Sequence, residues 1–210
     1  MSLKPILAAV ASVALLAACE APRGDMTRAQ ARDLAATAEP RTIYAYNRPP
    51  GCVPLAQSPH ICTWTVAPLH SLAVLSQGRV LERPAEELSW QVAAGDRSGL
   101  ASRAQSWARS VVDTEISRGG LQESAMRPAP SAQVADLPSA CVRYSYTMRT
   151  RSPDYSGRAE GLACVVLDPG TQTLHGISVT FSERRPPGTA PLAEFARIAA
   201  DLTASLRYAP

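Results

Sequence analysis

The residues with the widest chemical scope in this chain are its cysteines, at positions 19, 52, 62, 141 and 164. A thiol can accept a lipid, close a disulfide, bind a soft metal or act as a nucleophile, and its setting decides among these. Cys19 follows a positive residue, Lys4, and an apolar stretch from Pro5 to Leu15. That stretch is too short to span a bilayer and reads as the core of a signal peptide. Export to an oxidising compartment makes disulfides the expected state of Cys52, Cys62, Cys141 and Cys164, for which three connectivities exist. No CxxC spacing occurs, so structural bridging is expected ahead of thiol catalysis.

The segment Leu16-Ala17-Ala18-Cys19 resembles the lipobox of bacterial lipoproteins: an aliphatic residue, two small residues, then cysteine. The resemblance implies diacylation of the Cys19 thiol, cleavage of the Ala18–Cys19 bond and acylation of the new amine, so that residues 1–18 are a lipoprotein signal peptide. Small side chains before the cut suit a peptide lying extended in a narrow site. Several acyl chains would make the anchor effectively permanent, whereas one chain binds only marginally. In that family an aspartate after the cysteine favours inner-membrane retention; here Glu20 follows, which favours the outer membrane, with the domain facing the periplasm. Residues 19–40 are rich in Ala, Arg and Thr without a useful apolar stripe and read as a lipidated tether, with a frayed helix from Thr27. Residues 41–210 are expected to form a single globular domain.

Other chemistry is sparse. Arg and Lys total 21 against 18 Asp and Glu, and Lys4 is the only lysine. This balance argues against a nucleic-acid partner, which requires a large clustered cationic surface. There is no GxSxG elbow, HExxH, P-loop or GxGxxG, so no cofactor and no catalytic residue is implied. A zinc site would need His60, His70 and His175 to converge, and none is expected. An alternative is a periplasmic small-ligand binding module, which would hold a small apolar or anionic ligand between sheet and terminal helix. An envelope hydrolase would need one of these histidines beside a serine and a carboxylate. Trp64, Trp90 and Trp107 are expected to anchor the core.

The elements that must position these residues follow from periodicity. Residues 141–148 and 157–167 read as strands around a turn, and Cys141 opposite Cys164 sets their register. Tyr144 then faces Gly161, Tyr146 faces Ala159 and Met148 faces Gly157, so large side chains cover small ones. The expected disulfides are Cys52–Cys62, closing a short Pro-rich loop, and Cys141–Cys164. A further hairpin turns at Asp168-Pro169-Gly170-Thr171. Keeping Ile177, Val179 and Phe181 on the face of Tyr144 and Tyr146 requires a three-residue bulged loop there. The opposite face then carries Arg143, Arg149 and Arg158 with Ser178 and Thr180 alongside, a cationic, hydroxyl-lined surface for an acidic envelope protein or an anionic glycan. Residues 192–206 have helical spacing and should close over the apolar sheet face. Ser98 to Arg118 is a second helix, entered at Asp96 and ended by Gly119-Gly120. Short strands are expected at Arg41–Tyr46, Thr63–Ala67, Ala73–Leu75, Val80–Arg83 and Leu88–Ala93, with a turn at Gln77-Gly78, and Met126 to Pro138 reads as a Pro-rich crossing. The fold class is therefore α+β, an antiparallel meander packed with helices. Over roughly residues 60 to 208 the element order is similar to the PsbP-like α/β/α sandwich, a resemblance that implies a non-enzymatic accessory or assembly role.

Overall fold

The computed structural model describes residues 43–116, 120–129, 137–151 and 154–209. The signal peptide, Cys19 and the tether lie outside the described residues. In chain order the elements are β1 (Tyr44–Ala45), β2 (Val53–Leu55), β3 (Ser58–Ala67), β4 (His70–Glu82), α1 (Glu86–Ala93), α2 (Ser98–Ile116), β5 (Gly120–Ala129), β6 (Ser139–Arg151), β7 (Asp154–Asp168), β8 (Thr173–Arg185), α3 (Phe195–Ala204) and β9 (Arg207–Tyr208). This is the α+β class read from the sequence. A seven-stranded antiparallel sheet runs in the order β2-β3-β4-β8-β7-β6-β5, and β1 pairs separately with β9.

The β6–β7 hairpin has the register set by its cysteines: Cys141 opposes Cys164, Tyr144 opposes Gly161, Tyr146 opposes Ala159 and Met148 opposes Gly157. The disulfides are Cys52–Cys62 and Cys141–Cys164, with Cα atoms 5.4 and 4.1 Å apart. The Tyr144 ring lies so closely over Gly161 that an added Cβ would sit 2.4 Å from its Cζ. Here glycine is required by close approach, whatever its conformational freedom.

The β7–β8 pairing differs from expectation. Leu162 opposes Val179 and Glu160 opposes Phe181, and Asp168 pairs with Thr173. The connection is therefore the four residues Pro169 to Gln172, not three. Asp168 Oδ1 accepts the Gly170 and Thr171 N–H groups, and Gln172 takes the positive φ of 51°. The one-residue difference inverts β8. Ile177, Val179 and Phe181 face away from the tyrosines, and Ser178 and Thr180 lie on the tyrosine face. The physical reason is that both faces are covered. Helix α2 packs Leu100, Ala104, Trp107, Ala108, Val111 and Val112 against the tyrosine face. Helix α3 packs Phe195, Ala199 and Leu202 against Ile177, Val179 and Phe181. The terminal helix thus covers the opposite face from the tyrosines. Of the hydroxyls on the tyrosine face, Thr180 Oγ1 is satisfied by a 2.6 Å hydrogen bond shared with Tyr144 Oη, whereas Ser178 Oγ is buried with no hydrogen-bond partner among the described residues.

Four further expectations are corrected. Gln77-Gly78 is not a turn: β4 runs unbroken through it, and Gly78 is small because the Tyr44 ring crosses it. Leu88–Ala93 lies in helix α1, not a strand; it buries Leu88 and leaves Trp90 69% exposed, so Trp90 anchors no core. Met126 to Ala129 belongs to β5, paired with β6 from Gly120 onward. Arg41–Tyr46 shrinks to Tyr44–Ala45, with residues 41 and 42 outside the described residues. Helix α2 begins as expected, with Asp96 Oδ1 accepting the Ser98 N–H at 2.8 Å, and that bond holds the Asp96 carboxyl below its ordinary pKa.

Candidate functional site

The arginines expected to form a partner surface occupy different settings. All three project from the Phe181 face of β6 and β7, but α3 covers the half of that face nearer β8. Arg158 lies at the covered boundary and is turned inward. Its Nε donates to Glu183 Oε2 at 2.5 Å, its Nη2 donates to the Leu192 carbonyl at 2.9 Å, and its guanidinium lies 4.0 Å from the Phe195 ring centre. Arg149 is exposed and paired with the Asp154 carboxylate at 3.2 Å. Arg143 is exposed, opposes Arg127 across β5 and Leu162 across β7, and has no carboxylate within ion-pair distance among the described residues. The hydroxyl lining is also smaller than expected, since Ser178 and Thr180 belong to the other face; Ser145 and Thr147 remain. An open groove of about 470 Å³ runs along Glu123, Thr147, Ser156, Arg158 and Arg185. Arg185 is itself committed, through Nη1, to the Thr189 carbonyl at 2.6 Å.

The densest polar cluster was not foreseen. Glu183 has a fully buried side chain. Its Oε1 accepts from His70 Nε2 at 2.7 Å and from the Leu192 N–H at 2.6 Å, while Oε2 takes Arg158. Burial alone would raise this carboxyl's pKa. The Leu192 amide, then Arg158 and His70, outweigh it and hold the group ionised below the ordinary glutamate range. Leu192 is thereby gripped at both its N–H and its C=O, which seats the segment leading into α3. The signal available in the sequence was Glu183 at an inward position of an apolar strand, where a carboxylate needs partners; His70 and Arg158 are too distant in sequence for spacing to identify them.

The remaining histidines do not join this cluster. His60 is exposed on β3. His175 is buried with its ring 5.4 Å from that of Tyr208, and burial depresses its pKa. Tyr208 donates to Asp168 Oδ2, and burial together with that carboxylate pushes its phenol up to about 12. Among the described residues no serine hydroxyl bonds a histidine ring, and no three His, Cys, Asp or Glu side chains could hold a metal ion. No described helix is long and apolar enough to cross a membrane. Beneath α3 the space is filled by aromatic rings, with Phe195 4.8 Å and Trp64 6.0 Å from Phe181. The described surface thus presents charge and hydrogen-bonding groups on a shallow face, an arrangement suited to docking. No protein-family profile matches the chain, and no curated protein matches it above chance.

Proposed function

We propose that this chain is a lipid-anchored lipoprotein of the cell envelope whose domain acts as a non-catalytic interaction or assembly module. The observation that carries the reading is the distribution of thiols. Cys52 pairs with Cys62 and Cys141 with Cys164, which leaves Cys19, at the end of the Leu16-Ala17-Ala18 segment, without a cysteine of its own chain to bridge. Lipid is then the natural fate of its thiol, and the domain hangs from residues 19–40 at the periplasmic side of a membrane, the outer membrane being favoured. The element order read from the sequence resembles the PsbP-like α/β/α sandwich, and that resemblance supports an accessory role. In this reading the contact surface is the uncovered arginine-bearing part of the sheet, around Arg143 and Arg149, facing an acidic envelope protein or an anionic glycan.

Membrane fractionation of the full chain in a bacterial host tests the anchor. The wild-type chain is expected in the detergent-extractable membrane fraction, and Cys19→Ala is expected to lose the processed lipidated form. A Cys19→Ala chain processed at the same bond and recovered in the same fraction would contradict the reading.

A further inference from the structure

Strand β5 is an edge of the sheet, ten residues long, and nothing among the described residues pairs with its outer side. Its backbone orientation follows from the neighbouring disulfide. Cys141 and Cys164 have Cα atoms 4.1 Å apart, the close spacing of a non-hydrogen-bonded antiparallel pair. The Cys141 backbone groups therefore point away from β7 and toward β5, where Ala129 opposes it. Counting back along β5, Ala129, Arg127, Ala125 and Glu123 turn their N–H and C=O groups inward. Ser124, Met126 and Pro128 turn theirs outward. Pro128 fits this phase, since its missing N–H falls on the open side.

The side chains add a symmetry. Glu123, Ala125 and Arg127 lie on the same face as Arg143 and are all exposed. Arg127 directly opposes Arg143, a like-charge pair that disfavours the strand pairing. Opposite charges thus stand two residues either side of Ala125, on one face of an open edge.

We infer that β5 is a homodimer interface, joining a second copy of this chain edge to edge about a two-fold axis at Ala125. Ser124 and Met126 of one copy exchange backbone hydrogen bonds with Met126 and Ser124 of the other. Glu123 of each copy then lies opposite Arg127 of its mate, so Arg127 gains a carboxylate on the side away from Arg143. An isologous contact of this kind makes every such pair twice. Charge also selects the register. Moving the axis to Ser124 or Met126 places both charges opposite uncharged residues, and moving it to Glu123 or Arg127 sets like on like. Pro and charged residues often guard edges against pairing, but here their signs attract in one homotypic register.

The test is sedimentation velocity of the full chain in detergent solution across a concentration series. A monomer–dimer equilibrium is expected, with dissociation constants raised roughly tenfold or more by Glu123→Arg or by Arg127→Glu, because each converts both symmetric attractions into repulsions. Combining the two substitutions restores complementarity and should return the constant toward wild type. Both positions are exposed, and unchanged thermal unfolding of each variant checks that the fold is intact. Independently, Ala125→Cys should give a covalent dimer under mild oxidation, because the axis brings the two Cα atoms to about 4.5 Å; Arg127→Cys, displaced from the axis, should not do so beyond the parent chain. A monomer at all concentrations, a dimer indifferent to the single reversals, or failure of the combined variant to recover would overturn the proposal.

Discussion

Replacing Glu183 with leucine is expected to lower the unfolding free energy by about 3–5 kcal/mol, the usual cost of removing one member of a buried ion pair. For a domain of this size that corresponds to a fall in Tm of roughly 10 °C. The substitution strands the Arg158 guanidinium, the His70 ring nitrogen and the Leu192 N–H together, since all three converge on this carboxylate. Glu183→Gln keeps the shape and an acceptor but loses the charge, so it should fall between leucine and wild type. The pH profile carries a second signature. The folded carboxyl titrates below its ordinary value, so in acid the unfolded chain takes the proton first. The Glu183 contribution is complete above the unfolded glutamate pKa of about 4.3 and is lost as pH falls through the lower folded value. Wild type should therefore lose stability in that window more steeply than Glu183→Leu. A loss below about 1 kcal/mol at neutral pH would mean that the 186–194 segment is seated by its apolar contacts alone.

The second large effect is expected at Gly161. An alanine Cβ there would lie 2.4, 2.5 and 2.7 Å from Cζ, Oη and Cε2 of Tyr144. The ring has no easy escape, because Tyr144 is 1% exposed and its hydroxyl is bonded to Thr180. Gly161→Ala should cost about 3 kcal/mol, the upper part of the range for overpacking, since it also threatens that hydrogen bond. Tyr144→Val removes the ring and is destabilising alone. The two substitutions should be strongly non-additive, with the pair less damaging than the sum of its parts. Strict additivity would show that the ring moves freely and that the large-over-small pairing of this hairpin contributes nothing to its register.

That same pairing marks how far the fold was legible in the sequence. Cys141 and Cys164 could be opposed only in one register, and Tyr144, Tyr146 and Met148 then fell on Gly161, Ala159 and Gly157, so local chemistry agreed with the pairing at every step. Strand β8 lacked such a constraint. Its alternation of Ile177, Val179 and Phe181 with Ser178, Thr180 and Ser182 reads as one dry face and one wet face, yet helices cover both sides of most of it, and the buried Thr180 hydroxyl finds its partner in Tyr144. Gly78 illustrates the converse ambiguity. A glycine demanded by a ring crossing above it is spelled the same as a glycine demanded by a turn. The period-two spacing of Leu88, Trp90 and Val92 misled because eight residues give too little length to separate helix from strand. Pro128 signalled a loop, but proline is also at home on an edge strand.

The site was legible in part. Arg143 was placed correctly on an exposed sheet face, and Arg149 is exposed but already paired with Asp154. Arg158 belongs to the Glu183 cluster, so a charge-reversal probe of partner binding should use Arg143 and Arg149 and leave Arg158 intact. The cluster itself was hidden because His70, Arg158 and Glu183 meet only through the pairing of β4, β7 and β8.

Anchoring turns on Cys19, and the intact mass of the chain extracted from bacterial membranes tests it most directly. The expected result is a polypeptide beginning at Cys19 that carries a glycerol with its ester-linked acyl chains on sulfur and a further acyl chain on the new amine. Mild base should remove the ester-linked chains and leave the amide-linked one. A chain recovered with Cys19 unmodified, or with Cys19 bridged to Cys52, Cys62, Cys141 or Cys164, would contradict the account.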